Sequence, residues 1–169
     1  MHTARKLIVV PVLTAAFLAL TFAGLHQQAR ATPTTASSTV STSAHTPKRW
    51  VAMRWAESQA GKHYIYGAAG PSSYDCSGLV MRAYQHAGIS LPHNTGAMLS
   101  SGKLTRTSHP HWGDLAFFGS GHVELFDYWK RKGFESFGAH SSAHPIIGWR
   151  YNIRPYYTYV RYYTVKGAN

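Results

Sequence analysis

The chain has 169 residues, 44% hydrophobic and 14% aromatic but only 14% charged, which excludes a wholly disordered chain and suits a folded globular domain. Its 17 Lys and Arg against 6 Asp and Glu give a formal charge of +11, so its surface should seek polyanions: nucleic acid, anionic lipid headgroups or acidic wall polymers. The single cysteine, Cys76, excludes an intrachain disulfide framework and any zinc site built from several cysteines.

Residues 1–31 read as a secretory signal: basic Arg5 and Lys6, an apolar stretch from Leu7 to Leu25, then Ala29-Arg30-Ala31, the small-x-small pattern of a cleavage site. The expected mature start is Thr32; an uncut stretch of this length would instead be an anchor, and this segment is the chain's only expected contact with a membrane. Removal takes away Arg5, Lys6 and Arg30 and no acid, which leaves a cationic exported protein. Residues 32–46 are Ser/Thr-rich and hold almost nothing large enough to bury, so they read as a flexible spacer. Residues 47–169 then suit one compact domain.

Within it, Thr46-Pro47 is expected to cap and start a helix over 48–60, with Val51 and Trp55, and Ala52 and Ala56, at i,i+4 spacing before Gly61. After a turn at Gly67–Ser73, Asp75 should cap a second helix whose stripe of Leu79, Ala83 and Ala87, flanked by Val80 and Tyr84, ends at Gly88. Residues 89–113 read as loop. Short strands follow at Asp114–Phe118, His122–Asp127, Phe134–Gly138 and Tyr156–Val165, separated by glycine-bearing turns. Helices first and strands after predict an α+β domain, with helices packed on an antiparallel sheet.

Cys76 falls at the first turn of the second helix, where unpaired N–H groups and the helix dipole favour thiolate over thiol and can also receive an oxyanion. A thiolate nucleophile needs a base, and position must choose it among 11 histidines. His122, in Gly119-Ser120-Gly121-His122-Val123, opens a strand; His140, in Phe137-Gly138-Ala139-His140-Ser141, ends the next and is expected to orient His122 by a hydrogen bond. His144, Ser141 and Ser142 are alternatives for that third position.

The runs Tyr64-Ile65-Tyr66-Gly67, Tyr74-Asp75-Cys76-Ser77-Gly78-Leu79-Val80, Gly88-Ile89-Ser90-Leu91-Pro92, Trp112-Gly113-Asp114-Leu115-Ala116-Phe117-Phe118 and Gly121-His122-Val123 resemble, in order and spacing, the NlpC-type cell-wall cysteine peptidases. The resemblance implies a papain-like fold with Cys76 as nucleophile, His122 as base and His140 as its orienting residue. Tyr64 takes the place of the tyrosine that assists with oxyanion or substrate, and Asp75 and Ser77 flank the nucleophile in that same zone. The implied substrate is the peptide stem of peptidoglycan, often cut between D-γ-glutamyl and a diamino acid, and the implied location is the cell wall or beyond. Four positions depart from the family pattern: Ala68 replaces the second Gly of the turn, His93 an Arg, Met98 a Gln, and Glu124 a small residue two places after the base. His93 and Glu124 are expected to alter which carboxylates the cleft accepts.

Neither a metal nor another cofactor is expected; the pair His109-Pro110-His111 lacks a fixed third ligand, and Asp114 reads as a turn residue. The aromatic and basic run over 153–163 resembles a single-strand nucleic-acid surface, but export argues against nucleic acid and for glycans or anionic wall polymers. Two other functions fit the same residues: acyl transfer through a Cys76 thioester, and non-catalytic, salt-sensitive binding of the wall. Oligomeric state is not legible.

Overall fold

The structure is a computed structural model that describes residues 45–153 and 159–169. The leader expected at 1–31, nearly all of the spacer expected at 32–46 and the start of the strand expected from Tyr156 lie outside the described residues. Among the described residues no helix is long and apolar enough to cross a membrane.

The first helix, α1, spans Lys48–Glu57 and is shorter than expected at its end. Ser58 onward tightens into a turn in which the amides of Gln59 and Ala60 reach back only three residues, to Ala56 and Glu57. Thr46 does not cap it: Pro47 holds the N-cap position without a side-chain bond, and its carbonyl accepts from Trp50 and Val51. Two short strands, β1 (His63–Tyr64) and β2 (Ser73–Tyr74), pair in parallel and bracket the turn that leads into α2 (Cys76–His86). Asp75 caps α2 as the sequence indicates, its side chain accepting from the Gly78 amide, and Leu79, Val80, Ala83 and Tyr84 are buried on one face.

Residues 89–113 are not all loop. They hold a helix, α3 (Thr95–Ser100), capped by Asn94, and a strand, β3 (Leu104–Thr107). The later strands are β4 (Leu115–Phe118), β5 (His122–Lys130), β6 (Gly133–Gly138), β7 (Gly148–Ile153) and β8 (Val160–Val165). They form one antiparallel sheet with β3 in the order β3-β8-β4-β5-β6-β7. The main core lies between one face of this sheet, with Leu115, Phe117, Val123, Leu125 and Phe137, and the helices, with Ala52, Met53, Ala56, Leu79 and Val80. Each large side chain so buried contributes about 1.5–3 kcal/mol. A smaller aromatic cluster of Phe126, Phe134 and Tyr162 with Ala116 and Val160 occupies the alternate positions of the same strands. The Arg49 amide donates to the Ala168 carbonyl at 3.0 Å, which fastens the start of α1 to the chain beyond β8.

Candidate active site

The site assembles where the N-terminus of α2 meets the start of β5. Cys76, at the first position of α2, borders a cleft of about 950 Å³ that Tyr64, His93, His122, His140 and Arg150 also line. The first-turn amides of Cys76 and Ser77 have no acceptor within their own helix, so they present N–H groups beside the sulfur. Two contacts hold the helix start against the preceding turn. The Asp75 amide donates to the Ala68 carbonyl, and Gly78 leaves room for it: a Cβ there would come within 2.2 Å of that carbonyl oxygen.

Asp75 is the hub of this corner. Its Oδ1 accepts from the Gly78 amide at 2.6 Å, the Ser77 hydroxyl at 3.0 Å and His93 Nε2 at 3.0 Å, and its Oδ2 from the Gly67 amide at 2.9 Å. Burial pushes its pKa up, but the bonds from Gly78, His93 and Ser77 outweigh that and hold the carboxyl below its ordinary value. The Asp75 and Ser77 side chains are thus spent on each other and on the turn, which leaves backbone N–H groups as the donors available to a substrate oxygen. Tyr64 stands at the cleft wall. Burial, then the nearby Cys76 and Asp75, raise its phenol pKa, so it stays protonated and able to donate.

Phe118, the last residue of β4, packs its ring 5.4 Å from the His122 ring, and α3 fastens the intervening turn through a bond from the Thr95 hydroxyl to the Ser120 carbonyl. His122 Nε2 lies 2.7 Å from Glu124 Oε1, and the remaining ring nitrogen is left free to serve Cys76, which lines the same cleft. Burial pulls the His122 pKa down, but the bonds and charges of Cys76 and Glu124 more than reverse this and lift it to about 9.

Glu124 is the residue that sequence reasoning misjudged. It is fully buried and does not line the cleft, so it does not select among substrate carboxylates. Its Oε1 receives both His122 Nε2 and His140 Nδ1, each at 2.7 Å, while its Oε2 accepts from Ser136, whose oxygen in turn accepts from Asn152 Nδ2 at 2.7 Å. Burial pushes its pKa up, but the two imidazoles outweigh burial and keep the carboxyl well below the usual carboxylate range. An ionised carboxylate only accepts, so both histidines donate to it. The bond expected from His140 to His122 therefore runs through Glu124. His140 is nine-tenths buried at the end of this relay, whereas His144 is exposed, the Ser141 hydroxyl accepts from the His144 amide at 3.3 Å, and among the described residues neither Ser141 nor Ser142 bonds to the ring of His122 or His140. The signal was available: residues two apart in a strand share a face, and an acid between Val123 and Leu125 in an apolar strand needs a buried partner.

Gly138 makes room for this carboxylate. It lies across from Glu124 in the β5–β6 ladder, and a Cβ there would come within 2.7 Å of Glu124 Cγ. Gly138→Ala is expected to cost about 1–3 kcal/mol by overpacking and to reduce activity with it, as urea unfolding and rates on one substrate would measure. Gly148→Ala, whose Cβ would meet nothing within 4 Å, is expected to change stability by under about 0.5 kcal/mol.

Among the described residues, His122, Glu124 and His140 are the one group whose ligand-type atoms lie within 4.8 Å of one another. Their 2.7 Å separations are donor-to-acceptor distances, so the three side chains are already hydrogen-bonded to one another. His111, one of the histidine pair, instead docks its amide on Asp114 at 2.8 Å.

Residues 61–143 match the model of the NlpC/P60 family. A probable endopeptidase of Mycobacterium tuberculosis is 42% identical over 70 residues, which are 41% of this chain and 18% of that protein. The chain thus spans under a fifth of the length of such relatives. A crystal structure of an NLP/P60 family protein similar to a lipoprotein, from Staphylococcus aureus, aligns with a TM-score of 0.55 at 27% identity, over 68% of this chain and 40% of that one. The peptidoglycan hydrolase RipB of Mycobacterium tuberculosis shares the fold, with a TM-score of 0.56 at 24% identity over 70% of this chain and 65% of that one. Helices on an antiparallel sheet, the nucleophile-type cysteine at a helix start and the histidine at a strand start together with these matches place the chain, through this domain, in the NlpC/P60 family.

Proposed function

We propose that the protein is an exported cysteine peptidase that hydrolyses amide bonds in the peptide stems of bacterial peptidoglycan, with the bond between D-γ-glutamyl and a diamino acid as its target. The observation that carries this reading is the Cys76–His122–Glu124 arrangement: a thiol at a helix start that shares its cleft with an imidazole backed by a buried carboxylate. The names borne by the relatives, endopeptidase and peptidoglycan hydrolase, support the substrate class. The apolar stretch Leu7–Leu25 and the Ala29-Arg30-Ala31 pattern support export.

In the mechanism, Cys76 passes its proton to His122 and the thiolate sulfur attacks the amide carbon. The oxygen takes the negative charge beside the first-turn amides of α2 and the Tyr64 phenol. As the C–N bond breaks, His122 gives its proton to the departing amine and a thioester remains. His122 then takes a proton from water, hydroxide adds to the thioester carbon, and collapse releases the carboxylate and returns the thiol. Glu124, held by His140 and Ser136, keeps the imidazole oriented and stabilises its cationic form.

Because Cys76 is the only thiol, its alkylation is a clean control. Mass spectrometry of purified peptidoglycan digested with the protein should show new stem fragments, and protein pretreated with iodoacetamide should yield none. No fragments, or fragments that survive alkylation, would overturn the reading; fragments carrying an added amine or alcohol would mark acyl transfer.

A further inference from the structure

The edge strand β7 supplies a second part of the cleft, outside the segment that carries the family match. In the β6–β7 ladder Arg150 faces Ser136, the residue that holds Glu124, and Asn152 reaches the same Ser136, so the side of the sheet that orients His122 continues onto β7. Between Glu124 and β7 the rung is bare. Gly138 and Gly148 pair there, and a Cβ at Gly148 would meet nothing within 4 Å, so this rung places no side chain of either strand in the space beside Glu124.

Arg150 is the one lysine or arginine, and Asp75 the one acid, among the described residues that line the cleft. Asp75 is consumed by its four bonds. Arg150 is exposed, and among the described residues its guanidinium has neither an ion pair nor a hydrogen-bond partner. A planar fork of donors with no acceptor of its own, at the rim of a cleft lacking a free acid, is matched by a carboxylate.

We propose that Arg150 is a specificity residue that binds a free carboxylate of the substrate near the bond to be cut. This rests on the peptidase reading above. Two groups of the same chemistry are present in the proposed substrate: a γ-linked glutamyl residue keeps its α-carboxylate, and a diamino acid with two carboxyls next to it keeps one of them free. An acidic wall polymer is the competing occupant, and the test makes it an outcome.

The Cys76→Ala protein is titrated calorimetrically with a synthetic stem tetrapeptide that holds a dicarboxylic diamino acid and an amidated C-terminus, in three versions: both remaining carboxylates free, the glutamyl α-carboxyl as amide, and the diamino acid carboxyl as amide. One amide should bind about tenfold more weakly than the free form, and which one names the source. Adding Arg150→Gln should erase that gap, Arg150→Lys should keep part of it, and unchanged thermal melting checks that the edge strand is intact. Equal binding of all three versions, or a gap that survives Arg150→Gln, overturns the assignment. So does an Arg150→Gln effect confined to sedimentation with acidic wall polymer. Cleavage by the protein with Cys76 intact is read separately. Cleavage without a carboxylate preference removes Arg150 and leaves the peptidase; preference in binding with no cleavage does the reverse, and no affinity for any version removes both.

Discussion

Replacing Cys76 with alanine is expected to lower hydrolysis of peptidoglycan stems by at least about three powers of ten. With no other thiol in the chain, nothing else can form the thioester, and the histidine relay is left to act on water without a covalent intermediate. The sulfur is nearly buried, so its loss costs about 1 kcal/mol or less in stability, and a thermal melt run beside the rate measurement separates chemistry from folding. Full activity in the variant would remove the nucleophile assignment. Cys76→Ser should be almost as inactive, because an alcohol is far less acidic than a thiol and His122 would not hold it ionised.

Glu124→Gln should reduce kcat/KM by about two to four powers of ten and should also move the pH profile. The direction follows from the charges. Glu124 stabilises the protonated imidazole and helps lift the His122 pKa to about 9; without that charge, burial pulls the value down. The thiolate–imidazolium pair is lost as His122 deprotonates, so the alkaline limb of activity, expected near pH 9 in the unaltered protein, shifts to lower pH. Glutamine preserves the shape and can still accept one histidine N–H. A purely structural role for Glu124 would lower the rate and leave the limb in place, and that result would overturn its assignment as a positioning residue.

The parts of the fold that were legible are those whose sequence carries both a periodicity and a punctuation. In α2, Asp75 before a Leu79, Ala83 and Ala87 stripe gives cap, face and end, and β4 to β6 are apolar runs set off by glycines. The elements missed lack one of these. The six residues of α3 are too short for an amphipathic repeat, and only the Asn94 cap announces them. The exposed-exposed centre of β3, and β7 with most of its residues in water, belong to strands at or near the sheet's ends, which need no alternation to stay folded. The meeting of Cys76 and His122 in one cleft could be read because each sits at the start of its own element. Glu124 beside His122 was readable from their spacing in one apolar strand, but its partners His140 and Ser136 were not, since they come from β6 and the residues after it, and which cross-strand residue meets Glu124 is decided only when the strands pair.

The bond between Arg49 and Ala168 has a topological consequence. The two ends of the folded domain lie side by side, so a short bridge of a few residues can join them without disturbing the sheet. New termini can then be opened at the exposed Arg131-Lys132 turn between β5 and β6. Such a circular permutant keeps every strand pairing and leaves Cys76, His122 and Glu124 on one uninterrupted stretch of chain.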